Sequence, residues 1–332
     1  MKLDKIFDGG AIFPHDKPFL IYGESQAETT VSFNGVSVKV KPVRGRFTAK
    51  FPPMPCGGPY EIKAVCGNET VSAADAYVGE IVVLAGQSNV MFKVKECADD
   101  LSDFTEDRLL RCFFADHIIF YDGDKDRFRS SDGWIECRKG NFPDFTALSY
   151  FIGRSLRKKT GVAVGVINCY EGASVIQSWL PPSAFDGGEF DLKREDMHSD
   201  HFDYDIWNAR SMLYRKTFAQ VKPYAVNAIV WYQGESNTTV GESKIYAREV
   251  AALAKSWRND LGDENIPFVI VQIADLDQRD DDGWHSLQKA QAKAAEIIPN
   301  AKLVISKDVC PSDSIHPALK RRLGERIAEA LR

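Results

Sequence analysis

Three stretches of this 332-residue chain hold side chains whose types and spacing suit acyl transfer. In Gly86-Gln87-Ser88-Asn89 a serine follows directly on an apolar run. A serine hydroxyl is a poor nucleophile until a base takes its proton, so Ser88 needs an imidazole and the imidazole needs an orienting acid. Of the six histidines, His316 is the candidate, in Asp313-Ser314-Ile315-His316-Pro317. The spacing lets Asp313 fold back onto one ring nitrogen and turn the other toward the serine. The third stretch, Trp231-Tyr232-Gln233-Gly234-Glu235-Ser236-Asn237, again carries an apolar strand into a polar, glycine-containing turn. Each stretch also has a plainer reading. Ser88 suits a helix N-cap, Asp313 or Ser314 suits a cap ahead of Pro317 at the first helical position, and Glu235 suits a solvated turn.

The elements that must position these residues are legible around them. Ile81 to Ala85 is a continuous, β-branched-rich run, the pattern of a strand buried on both faces of a parallel sheet. Ser88 then falls in the crevice beyond the carboxyl end of that strand, where open α/β sheets bind ligands. A second buried strand, Val162 to Ile167, opens into Asn168-Cys169-Tyr170-Glu171-Gly172-Ala173-Ser174. Acyl transfer requires donors aimed at the oxygen that becomes negative, and the Gly172 N–H suits that task beside the Ser88 N–H. The side-chain amide of Gln233, at the end of the third strand, is the expected last donor, with Asn237 the less favoured choice.

Down the rest of the chain, strands and helices alternate. Helices are expected over Thr146–Thr160 with Gly161 as the stop, Ile206–Val221, Ser243–Leu261 and Ser286–Ile298, and a last one from Pro317. Strands are expected over Pro267–Ala274 and Lys302–Ser306. This pattern predicts a three-layer α/β/α, doubly wound, mainly parallel sheet over residues 79–332. Residues 1–78 read instead as short strands with turn punctuation, including Asn34-Gly35 between two alternating runs, and predict a small all-β sandwich. That region holds no clustered carboxylates and is assigned no chemistry.

Composition narrows the function classes. A net charge of −5 with no basic run argues against a nucleic-acid surface, and no stretch approaches the ~18 apolar residues of a membrane span. Seven scattered cysteines with no C-x-x-C pair favour free thiols in a reducing compartment, and with no apolar signal core at the start they place the chain in the cytoplasm, unless a signal has been removed. His198 and His201 lack the spacing of a helical ligand pair, so no metal is assigned.

Taken in this order, Gly-Gln-Ser-Asn, Trp-Tyr-Gln-Gly-Glu-Ser-Asn and Asp-x-x-His resemble the sialate O-acetylesterase branch of the SGNH hydrolase superfamily. The resemblance runs through Gly172, Ile176, Trp179, Trp257-Arg258 and Pro267-Phe268, departs at Glu171 and Ala173, and is weakest between residues 95 and 130. It implies a catalytic Ser88, Asp313 and His316, an oxyanion hole of Ser88, Gly172 and Gln233, and supporting or sugar-contacting roles for Gln87, Asn89, Trp179, Glu235 and Asn237. No metal or organic cofactor is implied. The implied substrate is an acetyl ester of a carbohydrate, O-acetylated sialic acid foremost, with acetyl-xylan or another glycan as the alternative. The rival from another class is a carbohydrate-binding protein on a degenerate esterase fold. Loss of the serine, histidine or acid would signal that rival, and all three are present.

Overall fold

A computed structural model describes residues 1–119, 127–129, 133–191 and 205–332. Its longest strand, Glu69–Gly86, belongs to both halves of the chain, so the 78/79 boundary drawn from sequence falls inside one continuous strand. The end of that strand, ahead of the Ser88 turn, is a run of wholly buried residues from Ile81 to Gly86. The strand order across this part of the sheet is Trp134–Cys137, Asp107–Phe114, Val164–Tyr170, Glu69–Gly86, Ala228–Tyr232, Phe268–Val271, Ala301–Val304. All neighbours from Asp107–Phe114 to Ala301–Val304 run parallel, and Trp134–Cys137 pairs antiparallel at the edge. The central strands are buried along their whole length, which is why they read as unbroken apolar runs rather than alternating ones.

The beginning of Glu69–Gly86 pairs instead with Gly57–Cys66 and Ile12–Pro14. Thr29–Phe33 and Val36–Val40 form the hairpin expected at Asn34-Gly35, both of whose residues take positive φ, 44° and 77°. Lys2–Leu3, Phe19–Glu24 and Arg46–Phe51 make a separate three-stranded sheet. Phe13, Phe19, Phe33 and Phe51 pack their rings at 4.5 to 5.6 Å between these strands.

The helix Ala147–Thr160 begins on a Thr146 cap and ends at Gly161 with φ 72°, matching its sequence signals. Val240–Asp260 opens on a Thr239/Glu242 capping box, and Asp282–Ile297 opens on Asp281. Two expectations need correction. The helix expected over 206–221 is broken into Asp205–Asn208, Met212–Lys216 and a short 3-10 turn, Phe218–Gln220; the first break falls at Ser211, which adopts a left-handed backbone (φ 60°). The last helix is Arg321–Ala330 and does not begin at Pro317. Its first N–H groups, on Lys320 and Arg321, donate to the carboxylate of Asp99 (2.7 and 3.2 Å), so the cap comes from a distant loop rather than from Asp313 or Ser314. Of the described residues, no helix is long and apolar enough to cross a membrane.

Candidate active site

Gly86 fixes the turn that presents Ser88. Its φ is +150°, and a Cβ added there would lie 1.9 Å from the carbonyl oxygen of Tyr232 on the neighbouring strand, so any side chain would force the two strands apart. The chain then turns at Gln87 into the one-turn helix Ser88–Met91. Ser88 is half-buried where its flanking residues are buried, so its hydroxyl is the polar group left accessible at the strand end.

From the far end of the chain, 228 residues away, His316 brings Nε2 to 2.7 Å from Ser88 Oγ. Its backbone N–H donates to Ser314 Oγ at 3.1 Å, which steadies the turn carrying the ring. Burial holds the basicity of His316 below the ordinary imidazole value, and the nearby Lys320 charge lowers it further; Glu96 pulls the other way. A neutral imidazole hydrogen-bonded to a hydroxyl is the pairing that general-base activation of a serine requires.

The other residues singled out from sequence fall into two groups. Asp313 lies on the His316 turn, but its side chain is exposed and makes no hydrogen bond to the ring among the described residues; its backbone carbonyl accepts from Gln278 Nε2 at 3.4 Å. Gly172 is half-exposed beyond the end of Val164–Tyr170, with open space around it except for Met91, 3.5 Å from an added Cβ. Gln233 and Asn237 must be corrected as oxyanion donors in this arrangement. Gln233 is fully buried, and its NH2 is committed to Asn237 Oδ1 (2.8 Å), the Ser174 carbonyl (2.9 Å) and Gln87 Oε1 (3.2 Å). Asn237 likewise spends its NH2 on Gln177 and Glu242 and accepts the Ile176 N–H. Both amides tie the loops after three strands together, and neither has a hydrogen left for a ligand. Trp179 is also corrected, from a sugar-contacting residue to core. It is fully buried, its ring packs on Trp231 and Trp257, and its Nε1–H donates to Ser174 Oγ. His198, His201 and much of the 181–205 loop lie outside the described residues.

Residues 78–332 match the family model described as carbohydrate esterase, sialic acid-specific acetylesterase. The chain belongs to this family. Among its curated relatives are the sialate O-acetylesterases of Mus musculus, 24% identical over 328 residues (83% of this chain, 60% of the relative), and of Homo sapiens, 24% identical over 311 residues (83% and 58%). The chain thus spans about three fifths of the length of these relatives. A solved carbohydrate acetylesterase from Xanthomonas citri superposes with a TM-score of 0.83 at 27% identity, covering 99% of this chain and 74% of that one. The family match begins at residue 78, inside the long strand that leads into the Ser88 turn.

Beneath the serine and histidine, this family member has a layer of buried polar residues. Asn89 donates to Glu235 Oε1 at 2.6 Å and to the Ile315 carbonyl at 2.9 Å, and it accepts from Lys320 Nζ at 2.6 Å. Glu235 is therefore a buried partner of Asn89 rather than a solvated turn acid; burial raises its pKa, while the Asn89 hydrogen bond and the Lys320 charge draw it back. Gln87 Oε1 accepts from Gln233 Nε2 and from the Gly234 N–H, which ties the residue before the nucleophile to the third strand. Tyr246 and Gln291 complete the anchoring of Gln233, and Gln177 passes the network on to Glu249. Sequence reasoning missed Lys320, Asp99, Tyr246, Gln291 and Glu249. For Lys320 the signal was present, since it stands four residues after His316; the others carry no local pattern that separates them from ordinary helix or loop residues.

Proposed function

We propose that the chain is a serine esterase that removes O-acetyl groups from carbohydrate, with O-acetylated sialic acid the favoured substrate. The observation that carries this reading is the 2.7 Å contact between His316 Nε2 and Ser88 Oγ, made by residues at opposite ends of the fold's catalytic portion. In the proposed sequence, His316 takes the proton from Ser88 as Oγ bonds to the acetyl carbonyl carbon, and the carbonyl oxygen becomes negative. The N–H groups of Ser88 and Gly172 receive that charge, each donor contributing ~3 kcal/mol in comparable sites. His316 returns the proton to the departing sugar hydroxyl as the C–O bond breaks. Water then repeats the attack on the acetyl-enzyme, giving acetate and free Ser88.

Membership of the sialic acid-specific family supports sialic acid as the sugar. The Xanthomonas citri structure, described only as a carbohydrate acetylesterase, supports other acetylated glycans as a second reading. Acetate release measured side by side on O-acetylated sialic acid and acetyl-xylan separates the two. Faster release from sialic acid is expected, with none from Ser88→Ala. Glycan binding without acetate release from either substrate would replace the esterase with a binding protein.

A further inference from the structure

Lys320 is a lysine with no exposed surface. Burying an ammonium is costly unless the fold uses it, and the hydrogen-bond partner of Nζ is a neutral amide rather than a carboxylate. Its hydrogen bond goes to Asn89 Oδ1 at 2.6 Å, and the rings of Phe92 and Tyr232 flank the charge at 4.9 and 5.9 Å. Asn89 follows the nucleophile, and Lys320 stands four residues beyond the histidine. The segment 315–320 therefore grips the serine turn at three places: His316 on Ser88, the Ile315 carbonyl on Asn89, and Lys320 on Asn89. Asp99 holds the backbone N–H of Lys320, which fixes where its side chain starts.

We propose that Lys320 is a positioning residue for the esterase reaction: it registers the histidine segment against the serine turn through Asn89 and places a positive charge behind His316. The proposal rests on the esterase reading of Ser88 and His316. A 1 Å misplacement of a reacting group costs roughly 100-fold in rate, so a third contact between the two segments has a kinetic use that burial alone does not explain. The charge has a second use. It keeps His316 in the neutral, proton-accepting form to lower pH. The groups facing Lys320 are Glu235, Asp99, Cys310 and Cys97, and those facing His316 are Lys320 and Glu96. Burial brings the Lys320 ammonium down to about 8, so it is charged across the range in which His316 titrates.

The test compares Lys320→Met, which removes donor and charge, with Lys320→Gln, which keeps a donor to Asn89 but not the charge. Two quantities are read: kcat/KM on an aryl acetate against pH, and the His316 pKa from NMR of labelled histidine. Both variants are expected to move the acid limb and the His316 titration to higher pH. Lys320→Met is also expected to lose about 10- to 100-fold in plateau kcat/KM and Lys320→Gln less. A folded variant whose acid limb, His316 titration and plateau all match the wild type would overturn the proposal. If Lys320→Met fails to fold, the Lys320→Gln titration decides alone. Wild-type protein that hydrolyses no acetyl ester would remove the esterase reading instead, and the His316 titration would still decide whether Lys320 sets the ring's basicity.

Discussion

Two regions of this molecule are buried equally well and by opposite means. Around Phe13, Phe19, Phe33 and Phe51, the N-terminal strands enclose aromatic rings packed face to face and edge to face. Under Ser88, the ends of the parallel strands enclose Gln87, Asn89, Gln233, Glu235, Asn237 and Lys320, all but a few per cent buried. The aromatic region is held by dispersion and by area removed from water, which are non-directional and tolerate exchange of one apolar shape for another. The polar layer is held by hydrogen bonds with named donors and acceptors, where loss of one atom leaves its partner unsatisfied at a cost of about 1–3 kcal/mol. The contrast suggests that a fold stabilises itself most simply with the first kind of core and uses the second where loops from distant strands must be held in one register.

The largest effect is expected from His316→Ala. It is expected to lower kcat by ~10⁴-fold or more with little change in melting temperature. Asp313→Ala should cost much less, on the order of 10-fold, because the carboxylate is exposed and does not touch the ring. Equal losses in the two variants, measured as kcat on an aryl acetate, would place Asp313 on His316 during turnover.

Glu249 sharpens the contrast from the side of stability. Burial raises its pKa to about 8, with Glu242 adding to the rise and the Gln177 hydrogen bond and Arg248 opposing it. The folded state therefore holds a proton that the unfolded chain releases near 4.5. The associated stability is fully present below that lower value and is lost as pH rises through about 8. Denaturant midpoints of wild type and Glu249→Gln should converge at pH 4.5 and separate toward pH 8, with the wild type the less stable; parallel curves would show that Glu249 titrates normally. The smallest effect is expected in the aromatic region, where Phe33→Leu should cost about 1 kcal/mol by denaturant unfolding and leave kcat unchanged. A change in kcat there would couple the two regions.

The sequence showed what has a local cause. Apolar runs marked the central strands, Thr146 and Gly161 bracketed a helix, Asn34-Gly35 marked a hairpin, and Ser88 and His316 stood out by residue type. What it hid depends on three-dimensional partners. Gln233 at a strand end looks like an oxyanion donor until Ser174, Gln87 and Asn237 are seen to occupy its NH2. Trp179 reads as a sugar platform until Trp231 and Trp257 are found against it. The helix expected over 206–221 is first interrupted at a left-handed residue, Ser211, which no periodicity could reveal.

Covalent labelling with a fluorophosphonate, followed by intact-mass and peptide analysis, tests whether Ser88 is an activated nucleophile. One adduct is expected, on Ser88, absent from Ser88→Ala and strongly slowed in His316→Ala. Labelling of Ser88→Ala at the wild-type rate, or an adduct on a different residue, would contradict that role.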